Sequence, residues 1–488
     1  MLTFPAGGPR GLSMVVFVVG ALVLWILWAS VQLNLGSRAS GGLARSSDNR
    51  LRSVSTAEAD LIELAAQHFN DFPIQPPYEA RFGELGGRLR ILRQWIELAD
   101  GTVPGQEQQQ VQNATEAVTG SIFPFLRKNK TTATPFSDLR RSFTGERGIV
   151  IPTGSGTFRF ACHSIVGLRR VLQTQLPIQI VYAGDDDLPA DKRDALATLG
   201  EDSGVGKIEF LNILDVLDDE TLQLASGGWA IKAFAVLASR FKQVILLDAD
   251  AVFLQSPEAL FAQKQYMDNG VLLFHDRKLW QHGFKERHEW WHAQVIHPGP
   301  QLNKSLVWTE EFAEEGDSGV VVVDKSRLDV LLGLLHVAWQ NTHAVREEVT
   351  YRMTYGDKES WWFGFELAGS TYAFEAHYGG IVGWQPGQID SGEQKVCSFV
   401  IAHVDEHDRL LWYNGGLLKN KMTDPTTFEV PTHWTMDGEW VKGARKEDMS
   451  CMRDSLVREL TDQEKDVLQR SMDMAKSVDS ELGLVELI

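Results

Sequence analysis

Two aspartates interrupt an otherwise apolar stretch at residues 244–254, which reads Val-Ile-Leu-Leu-Asp-Ala-Asp-Ala-Val-Phe-Leu. In an extended segment, residues i and i+2 point to the same face, so Asp248 and Asp250 could converge on one cation that bridges phosphate oxygens. The run before them has the composition of a strand buried on both faces, and ligands of open α/β sheets bind beyond the ends of such strands. A bare Asp-x-Asp also occurs in solvated turns and caps, but buried carboxylates need partners. The pattern therefore favours a site for Mn²⁺ or Mg²⁺.

Two further side chains could complete this site. His403 lies in the strand-like run 399–405; a lone histidine is usually structural, but beside Asp248 and Asp250 it would give two carboxylates and one imidazole as metal ligands. Lys232 is a single cation in an apolar helical stretch. It would either meet a phosphate or extend its ammonium to water, and both interpretations stay open.

A glycine-containing turn follows an earlier strand-like run. Thr153 and Gly154 open the sequence Thr-Gly-Ser-Gly, whose backbone N–H groups could approach a nucleotide at a helix N-terminus. The turn has neither the full G-x-G-x-x-G spacing nor a P-loop lysine, so a plain strand-to-helix turn is an equal alternative. Residues 185–187 form a second Asp-x-Asp, which we predict to cap the following helix.

Acidic residues also precede two apolar elements farther along the chain. Asp317 comes just before a valine-rich run, and Asp357 and Glu359 open an aromatic-rich segment. Helix capping would explain Asp357 and Glu359 without any catalysis. The neighbouring Trp361 and Trp362 could stack against a sugar, although packing in the core is the commoner use of tryptophan.

The elements that would position these residues alternate between strand-like and helix-like patterns. A strand at 148–153, a helix at 157–172 and a strand at 178–183 form a β-α-β order, which predicts the start of a parallel, doubly wound α/β sheet. Further predicted elements are a strand at 207–212, a helix at 229–241, the strand that ends at Asp248, and short strands at 270–274 and 319–323.

Composition excludes several classes of protein. The chain has 488 residues, of which 43% are hydrophobic and 23% are charged, and this balance is typical of a globular protein. Its net charge of -18 offers no basic surface for a polyanion, so we expect no nucleic-acid partner. Three cysteines permit at most one intramolecular disulfide. Sequons at Asn113, Asn129 and Asn303 would be glycosylation acceptors in a secretory lumen.

The first part of the chain carries a candidate membrane anchor. Residues 11–37 contain no charged side chain, and 12–33 are long enough for one bilayer crossing. A poor cleavage site at 37–39 favours an uncleaved anchor over a signal peptide. Arginines 38, 45, 50 and 52 follow the span and only Arg10 precedes it, so the positive-inside rule alone would place most of the chain in the cytoplasm.

Several ordered blocks together resemble a known family. They lie at 148–154, 158–162, 182–188, 247–250, 317–319, 356–359 and 412–416. Over residues 147–421 the chain resembles the fungal Golgi α-mannosyltransferases, typified by the α-1,3-mannosyltransferases. The resemblance implies the glycosyltransferase A fold, a Rossmann-like mixed and mostly parallel sheet flanked by helices.

The resemblance also implies an organisation and a reaction. The chain would be a type II Golgi membrane protein with its catalytic domain in the lumen. This orientation is opposite to the one that the arginines flanking the anchor would give by the positive-inside rule. Its domains would be a cytosolic tail at 1–11, an anchor at 12–33, a helical stem at 34–145, a catalytic domain at 146–421 and an accessory segment at 422–488. It would transfer mannose from GDP-mannose to mannose residues of protein-linked glycans, with retention of the α configuration and with Mn²⁺ or Mg²⁺ bound. Association with other Golgi glycosyltransferases is a further expectation.

Roles at the phosphates follow from the resemblance residue by residue. Asp248 and Asp250 match the metal motif, and His403 would be the third ligand by analogy with related metal-dependent transferases. Lys232 would approach the donor phosphates.

The remaining roles concern the nucleoside and the sugar. Thr153 and Gly154 would line the nucleotide pocket. Asp317, Asp357 and Glu359 would face the transferred mannose and the acceptor.

Alternatives remain within and outside this family. An α-1,2 linkage competes with α-1,3, and a non-catalytic glycan-binding subunit of a Golgi mannosyltransferase complex would share the blocks but would not require the metal pair. A glycoside hydrolase would use paired carboxylates without nucleotide or metal. For the transferase, front-face attack by the acceptor hydroxyl is favoured over a double displacement through a carboxylate such as Asp317.

Overall fold

A computed structural model describes residues 53–128, 131–201, 207–386 and 394–484. The expected cytosolic tail at 1–11 and anchor at 12–33 lie outside the described residues. Within those four ranges, every helix is too short or too polar to cross a membrane.

The helices and strands alternate along the chain from Gly145 onward. The longer helices are α1 Thr56–Asp71, α2 Phe82–Asp100, α3 Gln106–Ile122, α4 Pro135–Ser142, α5 Phe158–Val166, α6 Ala190–Glu201, α7 Ile231–Ala238, α8 Lys264–Asn269, α9 Lys285–Gln294, α10 Leu328–Gln340, α11 Lys358–Ala368 and α12 Asp462–Glu481. The strands are β1 Gly145–Pro152, β2 Ile178–Tyr182, β3 Glu209–Asn212, β4 Phe241–Leu247, β5 Ala251–Phe253, β6 Val271–His275, β7 Gly316–Asp324, β8 Ala373–Phe374, β9 Ile381–Gly383, β10 Lys395–Ser398, β11 Ile401–Val404, β12 Leu410–Asn414, β13 Leu418–Asn420, β14 Asp424–Phe428, β15 His433–Thr435, β16 Glu439–Val441, β17 Ser450–Arg453 and β18 Arg458–Glu459.

A seven-stranded sheet, in the order β3-β2-β1-β4-β7-β6-β8, organises the larger part of the chain. The pairs β3-β2, β2-β1, β1-β4 and β6-β8 are parallel, whereas β7 is antiparallel to both β4 and β6. The predicted β-α-β start is therefore confirmed. The whole sheet is mixed and mostly parallel, because β7 inserts between β4 and β6.

One helix and one strand begin or end at residues other than those predicted. The helix predicted at 229–241 ends at Ala238, and Phe241 already begins β4. Strand β7 begins at Gly316, earlier than predicted, so Asp317 lies within the strand and pairs in register with Phe274. Apolar side chains of β1, β2, β4 and β7 then form one buried cluster around the sheet.

The described chain divides into two compact units. Within the described ranges, the smaller unit comprises 53–72 and 96–114, and the larger comprises 73–95 and the described residues from 115 to 484. In the smaller unit, α1 begins with a capping box between Ser55 and Glu58, and the Thr56 hydroxyl donates to Glu107 over 3.1 Å. Helices α1 and α2 both lie within residues 34–145, the segment expected to be a helical stem.

The segment after residue 421 belongs to the same compact unit as the sheet. Its strand β17 pairs with β10, and a disulfide joins Cys397 to Cys451 across that pair. The third cysteine, Cys162, is a buried free thiol.

Helix α12 is joined to α5 by a buried ionic cluster. Asp479 accepts hydrogen bonds from Arg159 Nε over 3.0 Å and Arg159 Nη2 over 2.6 Å, and it contacts His163 Nε2 at 2.7 Å. All three side chains are buried, so the charges of Arg159 and Asp479 depend on each other for compensation.

Candidate active site

The Asp-x-Asp motif lies in a turn between β4 and β5. Asp248 donates its backbone N–H to Gly319 O over 2.8 Å, and its carbonyl accepts from Ala251 N over 3.0 Å. The residues between the strands are therefore not extended, and the expectation that Asp248 and Asp250 share one strand face is wrong. The turn lets each carboxylate take a different lysine as its partner.

Lys232 of α7 is the buried partner of Asp248. Its Nζ lies 2.7 Å from Asp248 Oδ1, and it donates to Ser318 O over 3.1 Å and to Ser318 Oγ over 3.0 Å. Burial lowers the pKa of Lys232, but the charges of Asp248 and Asp357 outweigh it and hold the pKa above its usual range. Burial raises the pKa of Asp248 above its ordinary value, although the charge of Lys232 opposes that rise. The ammonium is thus fixed in place and does not extend to water.

Asp250 pairs with Lys421, which follows β13. Its backbone carbonyl accepts from Gly416 N over 2.8 Å, so the loop after β12 is tied to the Asp-x-Asp turn. Each aspartate keeps part of its surface accessible. Two partly accessible carboxylates fit Mn²⁺ or Mg²⁺, which accept one or two carboxylates together with water and phosphate oxygens.

His403 lies away from this pair of carboxylates. It is fully buried in β11, its ring stacks on Trp412 at 4.3 Å, and its Nε2 lies 3.0 Å from Asp317 Oδ2. Over the ranges that the structure describes, no group of three or more histidine, cysteine or acidic side chains is arranged to hold a metal ion. The structure therefore does not bring His403 together with Asp248 and Asp250.

Asp317 is held by three donors. Its Oδ1 accepts from Gly319 N over 2.9 Å and from Asn414 Nδ2 over 3.0 Å, while Oδ2 faces His403. Burial alone raises the pKa of Asp317, but the hydrogen bond and charge of His403 outweigh it and leave the pKa below its usual range. Asp317 is therefore an ionised side chain with a fixed orientation.

Asp357 occupies the N-cap position of α11, but its side chain does not cap the helix. Its Oδ2 accepts from Trp361 Nε1 over 2.9 Å, and its Oδ1 accepts from Ser318 Oγ over 3.3 Å and lies 3.7 Å from Lys232 Nζ. The alternative that capping explains Asp357 is therefore wrong.

Glu359 points into the protein interior. Its Oε1 accepts from Glu315 N over 3.0 Å and from Gly316 N over 3.2 Å, and its Oε2 accepts from Trp362 Nε1 over 2.6 Å. Burial raises the pKa of Glu359 to about 7. Trp361 and Trp362 are themselves buried core residues, which leaves no exposed ring face for a sugar. Glu359 holds the start of β7 in place and is absent from the walls of the two clefts described next.

Two clefts meet at the Lys232–Asp248 pair. The first, here called the Gly154 cleft, has a volume of about 760 Å³ and is lined by Thr153, Gly154, Asp187 and Asp250 among others. The second, the Asp276 cleft, has a volume of about 530 Å³ and includes Asp317 and Asp357 in its walls. Trp229, Lys232, Asp248 and Asn414 belong to both.

The turn at Gly154 is shaped by the second Asp-x-Asp motif. Asp187 accepts from Ala183 N over 2.9 Å, and its backbone carbonyl accepts from Ser155 N over 2.7 Å. The prediction that these acids cap the next helix is therefore wrong for Asp187, which braces the turn. A Cβ at Gly154 would lie 2.1 Å from Asp187 Oδ1, so only glycine fits there without displacing that carboxylate.

The Asp276 cleft contains an ionic cluster that sequence reasoning missed. Lys358 Nζ lies 2.5 Å from Asp276 Oδ2 and 2.8 Å from Glu314 Oε2. Burial opposes the charge on Asp276, yet Lys358 and Arg277 hold the pKa of Asp276 well below its usual range. The block at 356–359 drew attention to Lys358, but no local pattern connects it with Asp276.

Two other lining residues were also missed. Lys421 has no distinctive neighbours in the sequence, whereas Asn414 lies in the Trp-Tyr-Asn-Gly-Gly block and could have been singled out there. Asn414 is the last residue of β12 and lines both clefts, whereas Lys421 follows β13 and lines the Gly154 cleft.

Comparison with known proteins agrees with these features. The family model described as "Mannosyltransferase putative" matches residues 146–405, more than half of the chain. The α-1,3-mannosyltransferase MNN1 of Saccharomyces cerevisiae is 26% identical over 364 residues, which cover 64% of this chain and 46% of that protein. The α-1,3-mannosyltransferase MNT3 of the same yeast is 30% identical over 288 residues, which cover 52% of this chain and 44% of that protein. The chain thus spans about half the length of the relatives it matches.

Among solved structures, the mannosyltransferase Ktr4p from S. cerevisiae has a TM-score of 0.29 and 12% identity, over 48% of this chain and 68% of that one. That similarity is too low to support an argument. The family match covers β1 to β11 and includes the Asp-x-Asp turn, Lys232, Asp317 and Asp357. The chain therefore belongs to this mannosyltransferase family.

Proposed function

We propose that the chain is a retaining α-mannosyltransferase of the glycosyltransferase A fold, which transfers mannose from GDP-mannose to mannose residues of protein-linked glycans. The α-1,3 linkage is favoured because MNN1 and MNT3 are α-1,3-mannosyltransferases. The observation that carries the proposal is the buried Lys232–Asp248 pair at the junction of two clefts. A donor that spans this junction would place its nucleotide in the Gly154 cleft and its sugar in the Asp276 cleft.

The lysines would act on the leaving group. As the bond between mannose and GDP breaks, negative charge grows on the diphosphate, and preoriented cations stabilise that charge. Lys232 is held by Asp248 and Ser318, and Lys421 is held by Asp250, so both ammonium groups are in place before the donor arrives. Asp248 and Asp250 would hold Mn²⁺ or Mg²⁺, which supplies further positive charge at the phosphate oxygens.

The carboxylates at the Asp276 cleft favour a direct transfer. A nucleophile for a double displacement needs an oxygen free of strong donors, yet both oxygens of Asp317 accept hydrogen bonds and its pKa is lowered. Front-face attack by the acceptor hydroxyl requires no such nucleophile, and the leaving phosphate can take the proton. Asp317 and Asp357 would then orient the mannose and acceptor hydroxyls.

A location in the Golgi lumen remains part of the proposal. The disulfide between Cys397 and Cys451 supports an oxidising compartment. We retain the type II orientation, the anchor at 12–33, the stem at 34–145, the catalytic domain at 146–421 and the accessory segment at 422–488 as proposals.

The decisive experiment measures release of GDP from GDP-mannose by the detergent-solubilised full chain. We expect release that an α-mannoside acceptor stimulates and that a chelator abolishes, with Mn²⁺ or Mg²⁺ restoring it. Linkage analysis of the product would then distinguish α-1,3 from α-1,2. A folded protein that binds mannosides but turns over no nucleotide sugar would instead be a non-catalytic glycan-binding subunit, and a mannoside hydrolysed without nucleotide would indicate a hydrolase.

Gly154→Ala is expected to weaken GDP binding by about tenfold, because the added Cβ collides with Asp187 Oδ1 and must displace the turn that lines the cleft. Calorimetric titration with GDP and Mn²⁺ measures the change. Gly87→Ala is the control: Gly87 lies in α2 outside both clefts, and its Cβ would meet no atom within 4 Å. Equal affinities for GDP in the two variants would contradict the placement of the nucleotide.

A further inference from the structure

Exposed aromatic side chains are concentrated in the Asp276 cleft. Across the described ranges, five aromatic residues are counted as exposed: Phe72, Trp229, Trp280, Phe284 and Tyr355. The last four all line this one cleft, with exposed fractions of 50%, 44%, 50% and 65% in that order. Large aromatic rings rarely remain exposed together without a ligand or partner to cover them. The cleft walls therefore suggest a ligand with apolar ring faces.

The four rings form two pairs. Trp229 and Tyr355 have ring centroids 5.4 Å apart, and Trp229 also borders the Gly154 cleft where the donor is proposed to lie. Trp280 and Phe284 form the second pair, with centroids 6.2 Å apart in an edge-to-face arrangement. Of the four rings, Trp229 is the one that also lines the Gly154 cleft, so the second pair is available to a more distant part of the ligand.

The backbone that presents the second pair is strained. Trp280, His282 and Phe284 have φ values of 59°, 53° and 58°, in the left-handed region that bulky side chains rarely adopt. The strain persists because the loop is fixed: His282 N donates to Glu311 O over 3.0 Å, and Gly283 N donates to Trp280 O over 2.9 Å. Strained backbone that the surroundings hold in place is concentrated at ligand-binding sites.

Cationic side chains pack against both rings of the loop. Lys442 Nζ lies 4.4 Å from the Trp280 ring centroid, and Arg287 Cζ lies 4.4 Å from that of Phe284. Each cation lies over one face of its ring, and the remaining ring surface is exposed to a ligand. Polar groups of the same cleft, Glu314 and Lys442, are suited to hydrogen bonding with hydroxyls.

We propose that the Trp280–Phe284 loop is an acceptor subsite that binds the second mannose of an α-linked oligomannoside, one residue beyond the mannose that receives the transfer. A pyranose ring offers an apolar face of C–H groups to an aromatic ring and hydroxyls to the surrounding polar side chains. The Asp276 cleft runs from the Lys232–Asp248 pair to this loop, so a disaccharide entering it would reach both. The subsite rests on the proposed mannosyltransferase activity and makes the enzyme selective for the length of its acceptor.

The test compares an α-mannobioside with methyl α-mannoside as acceptors for the full chain. Trp280→Gly removes the ring and also suits the left-handed backbone, so it does not add strain. We expect the ratio of kcat/KM for the disaccharide to that for the monosaccharide to fall about tenfold in this variant. Gln173→Gly is the matched control, because Gln173 has a φ of 56° and is exposed outside both clefts.

A second measurement separates the subsite from the catalytic proposal. Saturation-transfer NMR detects binding of the α-mannobioside without any donor, and we expect the contacts of its second ring to be lost in Trp280→Gly and kept in Trp280→Phe. An unchanged acceptor ratio, together with unchanged NMR contacts, would overturn the subsite even if transfer is observed. Disaccharide binding that depends on Trp280 in a protein that releases no GDP would retain the subsite and reject the transferase.

Discussion

Replacing Asp248 by asparagine is expected to lower the rate of mannose transfer by about a hundredfold to a thousandfold, the range seen when one preoriented charge-stabilising group is removed. The amide cannot offer a charged oxygen to a divalent cation, and it removes the negative charge that fixes Lys232 at the junction of the clefts. We also expect GDP to lose its dependence on Mn²⁺ for binding. Initial rates with GDP-mannose, and calorimetric titration with GDP in the presence and absence of Mn²⁺, measure the two effects.

Asp185→Asn is the matched control for that experiment. Asp185 belongs to the other Asp-x-Asp motif and pairs with Arg193 on the surface, outside both clefts. Its replacement should leave transfer within about twofold of the unchanged chain. If folded Asp248→Asn protein transferred mannose as fast as Asp185→Asn protein, the role of Asp248 at the diphosphate would be wrong.

Replacing Asp479 by asparagine is expected to lower the free energy of unfolding by about 3 to 5 kcal/mol, because it leaves the buried charge of Arg159 uncompensated. The control on the same helix is Asp473→Asn, since Asp473 is exposed and its ion pair with Lys476 has a separation of 4.0 Å. We expect the control to change the free energy of unfolding by no more than about 0.5 kcal/mol. Urea unfolding followed by tryptophan fluorescence measures both variants.

The difference in the free energy of unfolding between Asp479→Asn and the unchanged chain should depend on pH. Burial raises the pKa of Asp479, but the hydrogen bonds and charges of His163 and Arg159 lower it by a larger amount. The pKa of Asp479 in the folded chain is therefore below its ordinary value. A carboxyl whose folded pKa is depressed contributes stability above its unfolded pKa of about 3.9 and loses that contribution as the pH falls toward the folded pKa. The difference in unfolding free energy should therefore shrink as the pH falls below about 4. A difference that grew on acidification would contradict the assignment.

Local sequence patterns were sufficient to predict the first half of the sheet. The runs that become β1, β2 and β4 are continuous apolar segments, and burial on both faces of a central strand requires such runs. The direction of β7 was not predictable in this way. Its valines are buried on both faces whether the strand runs parallel or antiparallel to β4, so the pattern contains no information on direction.

In the candidate site, local sequence indicated individual residues but not their contacts with residues far away in the chain. Asp248 and Asp250 stand out because acids in an apolar run are costly, and Lys232 stands out for the same reason. The contact of Lys421 with Asp250 joins residues 171 positions apart, and that of Lys358 with Asp276 joins residues 82 apart. His403 shows the opposite case: its type suggested a metal ligand, but tertiary packing buries it behind Asp317.

The bond between Arg159 and Asp479 has a consequence for synthesis of the chain. The two residues are 320 positions apart, and a ribosome that adds roughly 5 to 20 residues per second needs roughly 20 to 60 s to cover that distance. Throughout that interval, α5 and the first strands of the sheet have left the ribosome, while Arg159 and His163 still lack the carboxylate of Asp479 with which they pair in the folded protein. The buried cluster can therefore form only after α12 has been synthesised, so we expect α5 and the first strands of the sheet to remain incompletely packed until then.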